Sequence, residues 1–551
     1  MASAASELLF VALGGAGEIG MNLNLYGYAG KWLMVDLGVT FGDDSTPGVD
    51  VLMPDPEFIV ERRADLVGLV LTHAHEDHLG AVADLWPRLQ CPVYATPFAA
   101  SVLHYKLQEA GLLEQVPVTE IALGGRFDLG PFDIELITMT HSILEPNALA
   151  IRTPAGTILH TGDWKIDPQP LIGETTDEAT LRRLGEDGVL AMVCDSTNVF
   201  VEGESGSEAD VRASLQQLMR GREGRIAVTC FASNLARVES IAVAATAIGR
   251  RPVLVGRALH RMVEVARENG YLVDLPPTVA ERDVAYLPRS EVCLICTGSQ
   301  GEPRAALARL ANDDHPDVDL DAGDTVIFSS RVIPGNERSI GRLRNRLSER
   351  GITCIVDEGG NVHVSGHPAR DELVRLYQWI RPQIAIPVHG EHRHLVAHAE
   401  LARECQVPQT IVAPNGSLVR LAPGEAEIID HVPSGRLVRD GTRLLPDDDP
   451  ALKERRRVLW NGAAVVTIVA DGNGNLLAPP QLSTQGIGDD EAAREAAEAA
   501  VAAVIEAVKE QRKARRGSEN DLDEAARRSV RKVFRDRLGK KPQVNVHVVR
   551  I

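Results

Sequence analysis

At 551 residues the chain exceeds what one ordinary hydrophobic core supports, so it holds two to four domains or one large fold with an insertion. Hydrophobic residues at 44% and charged residues at 25% are the profile of a globular protein, and 4% aromatic residues exclude a surface dominated by base-stacking rings. A net charge of −19 excludes attraction of nucleic acid by overall charge, so an RNA or DNA partner needs a local basic patch.

The opening "MASAASELLFVALGGAGEIG" lacks a basic segment followed by a full apolar core, and no run of about 18 apolar residues occurs anywhere. A cytoplasmic protein without membrane contact is expected. The seven cysteines are odd in number and lie in apolar runs such as "VCLIC" and "MVCD", the pattern of reduced, buried thiols. The CxxC formed by Cys293 and Cys296 has no second pair nearby and is not read as a zinc or redox site.

Through residues 1–204 apolar segments such as "ELLFVALGG", "LVGLVLTHAH", "FDIELITMTH" and "VLAMVCDST" alternate with helical patterns, "VADLWPRL" and "ASVLHYKLQEAGLL". Glycine turns between the early strands predict antiparallel hairpins. Over 205–358 the texture changes to longer helix and strand alternations, from "SEADVRASLQQLMRG" and "RIAVTCFASN" to "TCIVDE", which predict an inserted, doubly wound parallel sheet. Histidines return over 359–448, so this part rejoins the first domain. The "PDDDPALKERRR" region, 449–465, reads as a polar linker. A small α/β module follows over 466–551, with a hairpin, an Ala/Glu/Lys/Arg helix from Asp489 to Arg516, and the strand "QVNVHVVRI". From Arg512 to Lys541 twelve Lys/Arg face five Asp/Glu, a basic stretch that suits either a solvated or oligomeric helix face or RNA. No repeat of fixed period occurs.

Histidine is scarce, 16 in 551, yet "LTHAHEDHLG" packs His73, His75 and His78 around Asp77 on a strand-to-helix loop. His73 and His75 alternate along one strand face and can share a metal, while Asp77 and His78, past the turn, can point to a second. His141 in "LITMTHS", Asp163 in "LHTGDW" and His389 in "IAIPVHGEH" each follow an apolar strand beside small polar residues, as expected at a sheet edge. These seven side chains suffice for two metals bridged by one carboxylate. A lone histidine is usually a satisfied core residue; a set of this size is not.

"HAHEDH" with His141, Asp163 and His389 resembles the metallo-β-lactamase superfamily, whose fold is an αββα sandwich with two metals at the sheet edges. The insertion before "HVSGH" and "PVHGE" resembles its β-CASP branch. "LGGAGEIGMN", "DSTN", "FASN", "TGSQGEP", "SSRVIPGNE" and "HVSGH" are similar to the bacterial ribonuclease J family, over nearly the whole chain. The resemblance implies a metallo-β-lactamase domain over 1–204 and 359–448, a parallel α/β β-CASP domain over 205–358, and a C-terminal α/β module. By the same resemblance His73, His75 and His141 match the ligands of one metal, Asp77, His78 and His389 those of the other, and Asp163 the bridging carboxylate. Asp195 and His367 match a catalytic acid and histidine pair near the scissile phosphate. Asp36 in "MVDLG" matches an acid that orients the metal loop without ligation. Phe231, Ala232 and Ser233 of "FASN", the "SSRVIPGNE" segment, and His363, Val364, Ser365, Gly366 and His367 of "HVSGH" match a pocket for a terminal 5′-monophosphate and its nucleotide. "LGGAGEIG" has a dinucleotide-loop pattern but matches this family's opening hairpin better.

The implied activity is 5′-to-3′ exonuclease with endonuclease action on single-stranded RNA, in RNA maturation and mRNA decay, preferring 5′-monophosphate ends. Two divalent ions per subunit, about 3.5–4 Å apart, would activate a shared water for in-line attack, leaving a 5′-phosphate and a 3′-hydroxyl. Imidazole-rich ligands favour zinc, with manganese or magnesium as alternatives. The resemblance also implies a homodimer or homotetramer and other RNA-decay proteins as partners. The rivals are a β-CASP DNA nuclease, a small thioester or lactam hydrolase, which the long insertion disfavours, and a catalytically idle RNA-binding or scaffold subunit, disfavoured because every ligand position is filled.

Overall fold

A computed structural model describes residues 6–43, 45–356, 362–513 and 519–551. The chain divides into two compact units, one of residues 1–40 and 52–436, the other of residues 41–51 and 437–551.

In the first unit two mixed sheets face each other. One runs, in spatial order, Glu427–His431, Ser417–Ala422, Leu8–Gly14, Leu23–Tyr28, Lys31–Val35, Leu66–Val70, Val93–Ala95 and Val118–Glu120. The other runs Arg126–Leu129, Phe132–Thr138, Asn147–Thr153, Gly156–His160, Ala191–Asp195, Ile384–Val388 and Gln409–Thr410. The early hairpins are antiparallel, as expected. Phe10, Tyr26, Val35, Ile134, Leu149, Ile158 and Ile386 fill the space between the sheets. The outer face of the second sheet is covered by Trp164, from the loop after Gly156–His160, and by Leu181, Leu373, Tyr377 and Trp379 of the helices Glu178–Asp187 and Arg370–Ile380. Strands buried on both faces read as near-continuous apolar runs, which is why "LVGLV" and "IAIPV" lack polar alternation.

The insertion is a five-stranded, wholly parallel sheet, ordered Arg251–Val255, Val292–Cys296, Ile226–Thr229, Thr325–Phe328 and Thr353–Ile355. It packs with the sandwich in the same unit. Cys293 and Cys296 both lie in the Val292–Cys296 strand, buried and unbonded, and burial pushes the Cys293 thiol up to about 12. The expected end of the insertion at 358 falls outside the described residues.

The second unit holds a three-stranded sheet, Gln481–Gln485, Ala463–Ala470 and Gln543–Arg550, under the helices Glu491–Lys513 and Glu519–Leu538. Val466, Ile468, Val504, Leu522 and Phe534 form its core. Two expectations are corrected here. The 449–465 linker is instead the helix Pro450–Asn461 and the start of the Ala463–Ala470 strand. Asp449 caps the helix by accepting from the Ala451 N–H at 2.8 Å, Pro450 takes the first-turn position, and Leu452 is buried. The compact boundary also lies at 436/437 rather than 448, because the strand Arg436–Asp440 pairs with Arg443–Pro446 and Arg455 binds Asp440. Residues 514–518, within the expected helix and basic stretch, lie outside the described residues. Among the described residues no helix is long and apolar enough to cross a membrane.

Candidate metal centre

The site forms at the strand ends of the sandwich. The "HAHEDH" loop is latched to Leu37–Val39 by backbone bonds, Leu37 N–H to the His78 carbonyl at 2.6 Å and Val39 N–H to that of Glu76 at 2.9 Å. Gly38 is required for this approach, since a Cβ there would lie 1.7 Å from the Asp77 carbonyl oxygen. The fully buried Asp36, in a left-handed conformation at φ 62°, accepts from Thr72 N–H and Thr72 Oγ1, both at 2.8 Å, and from His78 Nδ1 at 2.7 Å.

His73, His75 and His141 converge. His73 Nε2 and His141 Nε2 each lie 3.1 Å from His75 Nδ1. Thr72 Oγ1 donates to Asp36 and accepts from His73 Nδ1, while His141 Nδ1 donates to the Gly366 carbonyl. Each of these two rings is thereby left with an Nε2 lone pair facing inward. Burial first, and then the neighbouring imidazoles, push His73 and His141 well below the usual histidine range, and burial lowers His75 to about 4. Three neutral imidazoles with converging lone pairs are a cation's donor set. Ligands at about 2.0–2.1 Å in a tetrahedron stand roughly 3.3 Å apart, close to the separations seen.

Asp77, His78, Asp163 and His389 form a second group. Asp163 Oδ2 lies 3.1 Å from His78 Nε2, 3.4 Å from His389 Nε2 and 3.9 Å from His141 Nε2, so it touches both groups. His389, at φ 52°, donates from Nδ1 to Asn22 Oδ1 at 3.0 Å, and its buried Nε2 has no hydrogen-bond partner. A lone pair facing two carboxylate oxygens, Asp163 at 3.4 Å and Asp77 at 3.7 Å, fits a cation between them. Burial works against charge on His78 but is outweighed by Asp163, Asp77 and Asp36, which hold it above its ordinary range. Burial raises Asp163, yet His389 and His78 outweigh it and keep the carboxyl ionised.

Beside Asp163 stands His367, its Nδ1 2.8 Å from Asp195 Oδ2 and 3.8 Å from Asp163 Oδ2. Burial disfavours the imidazolium, but Asp195 and the nearby Asp163 and Asp77 raise it to about 9. Gly366 has no room for a side chain, because a Cβ would lie 2.6 Å from Ser142 Oγ and 2.7 Å from the His141 ring. Ser365 Oγ accepts from Asn198 Nδ2 at 2.7 Å and from the His367 N–H at 3.1 Å. The start of "HVSGH" packs toward Arg237, which lies three residues after "FASN" and also binds Ser329 of "SSRVIPGNE". Val364 is buried, and His363 Nδ1 lies 3.4 Å from the buried Arg237, with burial and then Arg237 lowering His363 to about 3. Phe231, Ala232 and Ser233 are half-buried at the N-terminus of the helix Leu235–Thr246, which Asn234 caps by accepting from the Arg237 N–H at 2.9 Å.

Several side chains that organise the site lie outside the expected set. Asn22 bridges His389, the Asp77 carbonyl and His78. Asn198 ties Ser365 and the His367 carbonyl to Arg331. Arg237 binds Glu208 through two nitrogens and also reaches Ser329 and the Val362 carbonyl. Asn22 ends "LGGAGEIGMN" and Asn198 ends "DSTN", so the motifs carried the signal. The glycine loop does not cradle a dinucleotide: Ala16–Gly17 pairs with Gly390–Glu391, and the Gly15 carbonyl accepts from the His389 N–H at 2.6 Å.

Comparison with known proteins agrees with this layout. Family models match the "Beta-lactamase superfamily domain" at residues 46–182, "Ribonuclease J, beta-CASP domain" at 223–347, "Zn-dependent metallo-hydrolase RNA specificity domain" at 360–412 and "Ribonuclease J C-terminal domain" at 450–551. The chain is 47% identical over 550 residues to "Ribonuclease J" of Sinorhizobium meliloti, covering 99% of this chain and 98% of that one. It is 40% identical over 498 residues to "Ribonuclease J" of Mycobacterium tuberculosis H37Rv, covering 89% and 88%. A solved structure of a protein of unknown function from Enterococcus faecalis V583 shares the fold at TM-score 0.53, with 16% identity, over 75% of this chain and 100% of that one.

Proposed function

This chain belongs to the ribonuclease J family, and from that premise we propose that it is a 5′-to-3′ exonuclease with endonuclease activity on single-stranded RNA, preferring 5′-monophosphate ends, in RNA maturation and mRNA decay. It is a metal-dependent ribonuclease that binds RNA and divalent metal. The observation that carries the finer reading is the His367–Asp195 hydrogen bond, 2.8 Å, standing beside Asp163.

His73, His75 and His141 would hold one cation and Asp77, His78 and His389 the other, with Asp163 within reach of both groups; the imidazole-rich donors favour zinc over manganese or magnesium. When bound, the cations lower the pKa of water and neutralise charge on the phosphodiester. Asp195 accepts from His367 Nδ1 and so fixes the ring with its Nε2 toward substrate. A proton held on Nε2 passes to the departing 3′ oxygen as the phosphorus–oxygen bond breaks, leaving a 5′-phosphate and a 3′-hydroxyl. The N-terminus of the helix behind Phe231, Ala232 and Ser233 favours a terminal phosphate, and Ser365 and Gly366 offer backbone N–H groups beside it. We place the protein in the cytoplasm, as a homodimer or homotetramer that works with other RNA-decay proteins.

The test incubates the metal-loaded protein with a single-stranded RNA bearing a 5′-monophosphate and with its 5′-triphosphate twin, beside His73→Ala and a chelator control. Mononucleotides released from the monophosphate end, absent in both controls and slow on the triphosphate, are expected. Intact RNA with the metal site filled overturns the reading, and a single-stranded DNA lane then decides for a DNA nuclease or an idle RNA-binding subunit.

A further inference from the structure

The turn that follows Asp195 carries an aromatic side chain that no step above uses. Between Ser196 and Val201 the backbone closes on itself, Val199 N–H to the Ser196 carbonyl at 3.2 Å and Val201 N–H to that of Asn198 at 2.8 Å. Val199 points into the core at 1% exposure, whereas Phe200 points out at 54%. Single exposed apolar residues are ordinary on any surface, so exposure alone means nothing. Its surroundings are what count. The Phe200 ring packs at 5.1 Å, tilted 55°, against the His394 ring, and the Arg393 guanidinium lies 5.9 Å from its centroid.

That cluster is tied, through its neighbours in sequence, to the loops that carry the candidate metal ligands and the Asp195–His367 pair. His394 packs over Gly390, next to His389, so closely that a Cβ on Gly390 would lie 2.8 Å from His394 Cβ. Thr197 Oγ1 donates to the His389 carbonyl at 3.1 Å, and Asn198 Nδ2 donates to that of His367 at 3.0 Å. The turn is therefore fixed to both loops, and Phe200 rides on it as an outward ring. Glu391 holds Arg393 at 2.8 Å, which keeps the guanidinium beside the ring. Every nucleobase offers a π-face, and a ring flanked by a guanidinium and an imidazole binds such faces by stacking and cation–π attraction.

We propose that Phe200, backed by His394 and Arg393, is the stacking platform for a nucleobase of the RNA flanking the scissile phosphate. The inference rests on the ribonuclease reading above and deepens it by naming the base contact that holds the strand across the centre. Phe200 touches the base and not the reacting atoms, so its loss weakens capture of RNA and spares the chemical step.

Phe200→Ala, Phe200→Leu and Phe200→Trp are assayed in the metal-loaded full chain on 5′-monophosphorylated RNA. KM is expected to rise at least about 5-fold for Ala and Leu with kcat nearly unchanged, while Trp restores the parent value. Abasic residues are then placed one at a time along the RNA. At one position the parent and Phe200→Ala should become equal, as a cycle between a ring and its base requires. Independently of cleavage, 2′-O-methyl RNAs carrying 2-aminopurine at each position in turn are titrated with protein, and at one position the fluorescence should be quenched by the parent and not by Phe200→Ala. Unchanged KM in Phe200→Ala, parental behaviour of Phe200→Leu, or a defect that survives every abasic position overturns the platform. An inactive parent protein sinks the ribonuclease reading instead, and the quench still decides on stacking.

Discussion

Asp195 and His367, 172 positions apart in sequence, meet through a 2.8 Å hydrogen bond between Oδ2 and Nδ1. The strand Ala191–Asp195 and the loop entering the Arg370–Ile380 helix bring them together, and Asn198 pins that loop by donating to the His367 carbonyl. His367→Ala should lower kcat by about 10²- to 10⁴-fold with little change in KM or metal content, because the lost group acts on the leaving oxygen alone. Single-turnover cleavage of a short RNA, read beside metal analysis of the same sample, checks this. A parental kcat would remove His367 from the chemistry.

Asn22 should prove as important to metal retention as some ligands. It orients His389 through a 3.0 Å bond and holds the Asp77 carbonyl, so Asn22→Ala leaves the second group with two loosened members. Metal affinity is expected to fall about 10- to 100-fold, measured by competition with a chelating dye. Metal loss confined to one of two equivalents is the expected signature, since His73, His75 and His141 are held by other partners.

Asp163→Ala is expected to lose both equivalents, because its carboxylate oxygen lies within 3.9 Å of nitrogens in both groups. His75→Ala should lose one. Metal content by mass spectrometry under native conditions separates the two outcomes, and retention of a full equivalent by Asp163→Ala would remove its shared role.

Arg237 is fully buried and pairs with Glu208 at 2.8 Å, at the entry to the inserted domain. Arg237→Ala leaves the Glu208 carboxylate buried and uncompensated, at a cost of about 3–5 kcal/mol. Thermal unfolding of the metal-loaded protein should show a clear drop. Glu208→Gln combined with Arg237→Met should recover much of it, since no charge is then stranded.

His398 is buried between Ser196 Oγ and Tyr377 OH, each at 2.9 Å, and burial lowers it to about 4 despite Asp195 nearby. A histidine depressed from 6.5 favours the folded state above that value. The stabilisation is lost as pH falls from 6.5 through 4, by roughly 3 kcal/mol over the window. Urea unfolding from pH 7 to 4 should therefore lose stability more gently in His398→Gln than in the parent. Parallel profiles would show that His398 is not the group responsible.

The candidate metal ligands come together in the structure, and they were legible as a cluster because their chemistry is local. "HAHEDH" compresses four donors into six residues, and His141, Asp163 and His389 each stand where an apolar strand ends. The parallel insertion was legible for a similar reason, in that its strands and helices alternate at the length a crossover needs. The helix Pro450–Asn461 was missed although Asp449 and Pro450 form a start signal, because the acidic and basic runs around it read as solvated chain. Asn22, Asn198 and Arg237 were missed for a different reason. An amide or guanidinium becomes informative only through its partners, and here one partner of each lies 367, 169 and 126 residues away. The motifs ending in Asn22 and Asn198 marked the positions, but spacing does not reveal those partners.

The hydrogen bond from His141 Nδ1 to the Gly366 carbonyl has a thermodynamic consequence. One end belongs to a metal donor, the other to the loop that presents His367, so the ordering of either lowers the entropic cost of ordering the other. Metal and RNA are then expected to act as heterotropic ligands of one protein, each tightening the other by the same factor, whichever binds first. The enzyme stripped of metal should lose grip on its substrate as well as its chemistry.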